Sequence, residues 1–247
     1  MTAKELAALR HLWQEAFDEP DDFTDLFFSV GFSPDRCHCV WDNGVPVSAL
    51  YWFDCYLGGQ KLAYIYGVAT LKTHQGKGFA GKLLQETHNI LQAQGYAGTI
   101  LVPANQSLFD FYQKFGYHTA TFATKLTCDA ADTPVAIRKI SPEEYVRLRP
   151  AFLPEGSVMQ GSDAFAFLQG YCAFYAGADF LLVCSFSPEG LRGQELLGNA
   201  QAAPGILRAL NCAEGSFRTP GEGREFAMWL PLQASCPKPA WFALALD

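Results

Sequence analysis

The residues best able to do chemistry lie in one short run, Gln75-Gly76-Lys77-Gly78-Phe79-Ala80-Gly81, which holds three glycines in six residues. Glycine lets a backbone turn tightly and lets a ligand come close. Ahead of the run, Lys61 to Leu71 reads as a strand. Leu62, Tyr64, Tyr66 and Val68 fall on one face, and Ala63, Ile65, Gly67 and Ala69 on the other. Apolar residues on both faces mark a strand buried in a sheet. Behind the run, Leu83, Leu84, Thr87, Ile90 and Leu91 recur at helical spacing and Gly95 is a stop signal. A glycine-rich loop that opens a helix offers free amides at the positive end of the helix dipole, which suits a phosphate or pyrophosphate. The plain alternative is a turn that binds nothing.

Spacing separates the phosphate loops this run resembles. Gly76, Gly78 and Gly81 spell the dinucleotide fingerprint, but Lys72-Thr73-His74-Gln75 stand between strand and first glycine. The acid that should follow about 20 residues on is also missing around Leu101 and Val102. Gly76 to Lys82 spell a P-loop, yet Leu83 stands where a magnesium-binding hydroxyl is needed. The third pattern, Gln/Arg-x-x-Gly-x-Gly/Ala, is met by Gln75, Gly78 and Ala80. It resembles the acetyl-CoA loop of the GNAT acetyltransferase superfamily. A second stretch strengthens the likeness. Thr99-Ile100-Leu101-Val102 reads as a strand, and Leu108, Phe111, Tyr112 and Phe115 as a helix that Gly116 ends. Asn105, then Phe111-Tyr112-Gln113-Lys114-Phe115-Gly116-Tyr117, is similar to the superfamily's next motif. The resemblance covers residues 1–128.

The resemblance implies an α+β fold with a mixed sheet, acetyl-CoA as cosubstrate, and direct attack of an amine on the thioester. By the same likeness, the pantetheine arm lies along Val68, Ala69 and Thr70. The pyrophosphate sits on amides of Gly76 to Gly81, with Gln75, Phe79 and Ala80 in the loop and Lys77 adding charge or standing as a solvated lysine. An amide near Val68 polarises the thioester carbonyl, as in an oxyanion hole. Tyr112 matches the superfamily's usual acid. A phenol pKa of about 10 is near enough to a thiol's, about 8.5, for it to protonate the leaving thiolate; its alternative is simple packing. Asn105 positions the cofactor or caps a helix. The base that deprotonates the amine is left open among Asp54, His38, Tyr66 and ordered water. His74 is expected beside the cofactor rather than in the chemistry.

Around this site the chain is rich in apolar residues: 49% are hydrophobic, including 20 Phe, 10 Tyr and 5 Trp, against 17% charged. That supplies a real core. A net charge of −7 argues against nucleic acid as a partner and suits a cationic amine, though it also reads as ordinary solubility. Met1 to Phe17 reads as an amphipathic helix rather than a leader, and no stretch is apolar enough to span a membrane. The eight cysteines form no C-x-x-C pair and read as reduced thiols, so the expected location is cytoplasmic. In Cys37-His38-Cys39 the cysteines share a strand face while His38 points away, and no metal is expected.

Residues 1–32 read as helical, broken at Glu19-Pro20-Asp21-Asp22, with the superfamily's usual first strand absent. Asn43-Gly44 and Gly58-Gly59 turn successive strands, and Phe122 to Leu126 reads as the last strand of the first domain. The expected domains are 1–128, a GNAT N-acetyltransferase domain; 129–134, a polar linker; and 135–247, a smaller, degenerate GNAT-like domain. The second domain opens with a strand at Val135 to Ile140 and a helix capped by Ser141-Pro142-Glu143-Glu144. It continues through a strand at Phe180 to Phe186, a helix from Pro204 to Leu210, and strands at Phe226 to Leu232 and Trp241 to Leu246. Gln201-Ala202-Ala203-Pro204-Gly205 is a poor phosphate loop, so this half is not expected to bind CoA. It is expected to wall the acceptor cleft or mediate contacts of a homodimer. The acceptor is a small-molecule or peptide amine. A non-catalytic acyl-CoA-binding sensor or scaffold is the alternative function, and a nucleotide-dependent kinase a third.

Overall fold

The computed structural model describes residues 1–246. In chain order the first elements are α1 (Ala3–Phe17), α2 (Asp21–Leu26), β1 (Cys37–Asp42), β2 (Val45–Leu57), β3 (Gln60–Thr70), α3 (Phe79–Ala93), β4 (Gly98–Leu101), α4 (Gln106–Gln113) and β5 (His118–Asp129). There follow β6 (Arg138–Ile140), α5 (Pro142–Leu148), β7 (Met159–Gln160), α6 (Ser162–Leu168), β8 (Ala173–Ala176), β9 (Phe180–Ser187), β10 (Gly190–Gly198), α7 (Ala203–Ala209), β11 (Glu214–Pro220) and β12 (Arg224–Pro231). Two compact units divide them. One comprises Met1–His118, Met159–Phe167 and Met228–Lys238; the other comprises Thr119–Val158, Leu168–Ala227 and Pro239–Asp247. Among the described residues no helix is long and apolar enough to cross a membrane.

In the first unit the chain opens directly with α1, held by a capping box in which Thr2 and Glu5 each bond the other's backbone N–H. β1, β2 and β3 form an antiparallel meander. Both of its turns place two consecutive residues at positive φ, Asn43-Gly44 and Gly58-Gly59, as tight two-residue hairpins require. β3 then runs parallel to β4, with α3 as the crossover. The short β7 pairs with the far end of β2 at Cys55 and Tyr56. No strand of the described chain precedes α1. The core is strongly aromatic: Trp13 stacks on Phe27 at 4.2 Å, and Tyr51, Tyr66 and Phe167 crowd Phe27.

The second unit repeats the plan on a smaller scale. β6, β8, β9 and β10 are successive antiparallel neighbours. β10 is then parallel to β11, with α7 as the crossover. Ser141 caps α5 through Glu144 N, with Pro142 at the first helical position. The first unit takes in a strand distant from it in sequence, whereas the second begins with β5. β5 pairs antiparallel with β11, and Met228–Pro231 of β12 pair antiparallel with β4. The strand expected at Phe122 to Leu126 to end the first domain therefore groups with β11 instead. The strand expected at Trp241 to Leu246 does not form. That segment is buried, but its carbonyls accept from Val158 N, Thr121 Oγ1 and an Arg218 guanidinium nitrogen, so no ladder is made.

Beneath α5 lies an ion pair with no exposure. Arg149 grips both carboxylate oxygens of Glu195, at 2.7 and 2.9 Å, and Tyr145 donates to the same carboxylate at 2.7 Å. Removing one member strands a desolvated charge. Glu195→Ala is expected to lower the urea-denaturation free energy by about 3–5 kcal/mol, whereas replacing both Arg149 and Glu195 by Met should recover much of that loss. Equal losses in the single and double variants would refute the account.

Candidate functional site

The site is built on a fault in β3. Ala49 pairs with Ala69 and Tyr51 with Tyr66, so Gly67 and Val68 together oppose Leu50. This is a β-bulge. Gly67 sits at φ +60°, and a Cβ there would lie 2.4 Å from the Trp13 ring. Only glycine meets both demands. The bulge also corrects the simple alternation expected for β3, because past Gly67 the pleat is one residue out of step and Val68 leaves the face of Leu62, Tyr64 and Tyr66.

The second feature is the parting of β3 from β4. Their parallel ladder runs from Leu62↔Gly98 to Tyr64↔Ile100 and stops there. β3 continues for six more residues, so the backbone of Val68, Ala69 and Thr70 runs on beyond its neighbour. An extended ligand arm can pair with such an edge as an extra strand would.

The loop after β3 is pinned at its base and open at its tip. Gln75 Nε2 donates to Thr70 O at 3.3 Å, and Glu15 accepts from Lys72 N at 2.8 Å. His74 Nδ1 bonds Thr73 Oγ1 at 2.9 Å, and its ring packs edge-on to Phe79. Gly76 and Gly78 both adopt positive φ, and a Cβ on either would meet nothing within 4 Å. Their glycines thus serve the backbone path and leave space above it. Gly78 caps α3 with no side-chain hydrogen bond, so the first amides of a 15-residue helix have no side-chain partner. Gly81 has a different reason: a Cβ would strike the Phe115 ring at 2.6 Å, so it lets α3 and Phe115 close. Lys77 is exposed.

Phe115 links the loop helix to Tyr112. Its ring lies 5.1 Å from Phe111, which lies 5.2 Å from Tyr112. Tyr112 is 7% exposed, and burial pushes its phenol up to about 12. Its ring lies 5.7 Å from Tyr117, which is wholly buried. Thr99 of β4 donates to the Tyr117 hydroxyl at 2.9 Å, and His88 Nε2 stands 3.0 Å from it. Burial lowers His88 to about 4, so the ring is neutral at neutral pH and its tautomer sets which partner of the Tyr117 bond donates. This Thr99–Tyr117–His88 chain fixes the wall behind Tyr112, and sequence reading did not find it. The i, i+4 spacing of Leu84 and His88 with Leu91 was the available signal.

Asn105 acts as a cap: its Oδ1 accepts from Leu108 N at 3.2 Å and from Ser107 Oγ at 2.7 Å. Two of the bases considered are engaged elsewhere. Asp54 accepts from Tyr96 at 2.6 Å and pairs with Lys61 at 2.9 Å, at the Ala63 end of β2. His38 meets Glu86 of α3 at 3.0 Å. Tyr66 lies in the aromatic core beside the bulge. Among the described residues no cluster of three or more His, Cys, Asp or Glu could hold a metal.

This arrangement, a bulged strand parting from its parallel neighbour and feeding an uncapped glycine loop, agrees with the family comparison. Residues 1–120 match the profile of the acetyltransferase (GNAT) domain. Among solved structures, the fold is similar to a GCN5-related N-acetyltransferase from Kribbella flavida. The TM-score is 0.73 at 18% identity, over 95% of this chain and 70% of that one. A GCN5-related N-acetyltransferase from Anabaena variabilis gives 0.74 at 14% identity, over 94% and 71%. A tandem GNAT protein of the clavulanic acid biosynthesis pathway gives 0.56 at 11% identity, over 94% and 96%. No curated protein matches the sequence. The chain therefore has a GNAT-like fold followed by a second GNAT-like unit.

Two tests address the site's frame. Gly67→Ala is expected to cost about 2 kcal/mol or more through strained φ and the Trp13 clash, read by chemical denaturation; a neutral result would mean that the bulge relaxes freely. His88 tests the wall behind Tyr112. With its folded pKa near 4, below the ordinary value near 6.5, stability is full above about pH 6.5 and falls as pH drops toward 4. The loss should reach about 3 kcal/mol at most. His88→Gln should flatten that pH dependence, and an unchanged slope would place the acid sensitivity elsewhere.

Proposed function

We propose that the chain is an acetyl-CoA-dependent N-acetyltransferase that transfers an acetyl group to a primary amine of a small molecule or peptide. The observation that carries this reading is the open β3 edge leading into the uncapped start of α3. The residues present fit the cosubstrate. The space above Gly76 and Gly78, with amides that lack a side-chain cap, suits a pyrophosphate. The edge of Val68, Ala69 and Thr70 that faces away from β2, beyond the end of the β4 ladder, suits an amide-bearing arm. Acetyl-CoA, when bound, supplies a thioester carbonyl open to attack.

In this reading Gln75, Gly76, Lys77, Gly78, Phe79, Ala80 and Gly81 hold the anionic end. Gln75 ties the loop to β3, and Lys77 adds a positive charge at the rim. A backbone amide at the bulge, beside Val68, faces the developing negative charge, a role in which fixed dipoles act without reorganising. Asn105 holds α4 in place by capping it, and α4 carries Tyr112.

Tyr112 Oη holds its proton throughout the neutral range, because its pKa is raised to about 12. Giving that proton to a thiolate with pKa about 8.5 is uphill by about 5 kcal/mol from the resting state. The transfer is balanced only if Tyr112 regains a proton in the same step, and the attacking amine is the available donor. Asp54 does not serve as the base in this reading, because its carboxylate is engaged with Tyr96 and Lys61.

The high pKa also favours the runner-up, a binding module that senses acyl-CoA without turnover. Tyr112→Phe separates the two. For the enzyme, kcat with an accepted amine should fall at least about a hundredfold while acetyl-CoA still raises the melting temperature. A hundredfold excess of acetyl-CoA over its dissociation constant should stabilise the native state by about 2.7 kcal/mol. Absence of any shift, with NAD and ATP-magnesium as parallel ligands, would remove both readings.

A further inference from the structure

The second unit contains a cavity of about 280 Å³ that the acetyl-transfer reading does not use. Its lining includes Lys125 of β5, Arg192 of β10, Ser216 and Arg218 of β11, and Arg224 of β12. None of the residues described as lining it is acidic. The chain as a whole carries a net charge of −7, so four cations around one cavity run against its average.

Strand register puts these charges on one face. Arg218 lies directly opposite Lys125 in the antiparallel β5–β11 ladder, and Arg192 lies beside Ser216 in the parallel β10–β11 ladder. Like charges directly across a ladder are destabilising. A sheet that packs three of them together holds an arrangement that a bound anion would relieve. Arg218 is also fixed in position. It is 9% exposed, gives one guanidinium nitrogen to Ala243 O at 2.8 Å and Gln194 O at 3.3 Å, and lies 4.4 Å over the Phe226 ring.

The cavity has a telling place in the repeat. β10 carries a bulge at Gln194, since Gly193 pairs with Cys184 and Glu195 with Val183. Its ladder with β11 ends at Gly193↔Phe217. This is the counterpart of Gly67 in β3 beside β4. After β10, however, Asn199 caps the following turn through Gln201 N, and α7 has only seven residues. The second unit therefore keeps the parted strands without the glycine loop, and it surrounds the opening with cationic side chains.

We propose that this cavity binds a compact, multiply charged oxyanion, either a phosphate ester or a polycarboxylate, through Lys125, Arg192, Arg218 and Arg224. Guanidinium groups suit such ligands because they donate paired, charge-assisted hydrogen bonds. The inference stands apart from acetyl transfer.

The test is calorimetric titration of the full chain with inorganic pyrophosphate and, separately, with citrate at low ionic strength. Saturable binding of at least one probe is expected. Lys125→Glu and Arg224→Glu, both at exposed positions, should each weaken it about tenfold, consistent with loss of one charge-assisted contact. Melting in the absence of anion should be unchanged or raised in these variants, since each removes a repulsion. Both titrations are repeated with Lys77→Glu, which weakens any anion binding at the α3 loop, and the binding that depends on residues 125 and 224 should survive. Preference for pyrophosphate identifies phosphate esters as the class, and preference for citrate identifies polycarboxylates. No saturable binding at millimolar concentration overturns the proposal. So does an affinity that ignores residues 125 and 224, or one that disappears with Lys77→Glu.

Discussion

The site depends on a place where a side chain cannot exist. At Gly67 the indole of Trp13 occupies the volume that a Cβ would need, and the backbone sits at positive φ. Glycine is the only residue that allows the bulge, and the bulge lies in the part of β3 that runs on beyond β4. The aromatic cluster of α1 and the following helical turns is thus more than hydrophobic filler. Trp13, stacked on Phe27, fills the volume that a side chain at residue 67 would need.

The glycines of the loop are not interchangeable, and their differences explain the design. Gly76 and Gly78 are free in space but bound in conformation, so their role is to permit the positive-φ path of the loop. Gly81 has ordinary helical backbone but no room, so its role is to let Phe115 approach. The same three letters in a motif therefore encode one requirement for a ligand and another for packing. The packing requirement carries structure from the loop to Tyr112 through Phe115 and Phe111. That path ties the proposed binding end and the proposed proton donor to one rigid assembly.

Much of this was legible in sequence because it is local. The strand, loop, helix, strand and second helix between Lys61 and Gly116 each announce themselves by period, punctuation or capping residues. The capped start of α5 does so as well. What escaped was settled by distant partners. Gly67 stood in an apparently regular alternation, and only Trp13, more than fifty positions earlier, turns it into a bulge. β5 reads as the closing strand of its own half, but its neighbours in the sheet are β11 and β12. Trp241 to Leu246 reads as a strand because it is apolar throughout, yet buried segments need only partners, and here side chains and isolated amides supply them. The Thr99–Tyr117–His88 chain joins three elements that no sequence window contains.

The repeat shows how one topology can be turned to different ends. Both units carry a bulged strand beside a parallel neighbour, joined by a helix. In the first, the crossover begins with uncapped amides under open glycines, so a ligand's negative charge would be met by backbone dipoles. In the second, Asn199 satisfies the turn after β10 and the helix is too short to add a useful dipole. Positive charge there comes from side chains instead, gathered on a sheet face at some electrostatic cost. Backbone dipoles fix the position of an anion without net charge, whereas arginines add charge and tolerate variation in shape. The same parted strands thus underlie the proposed cosubstrate site in the first unit and the proposed anion site in the second.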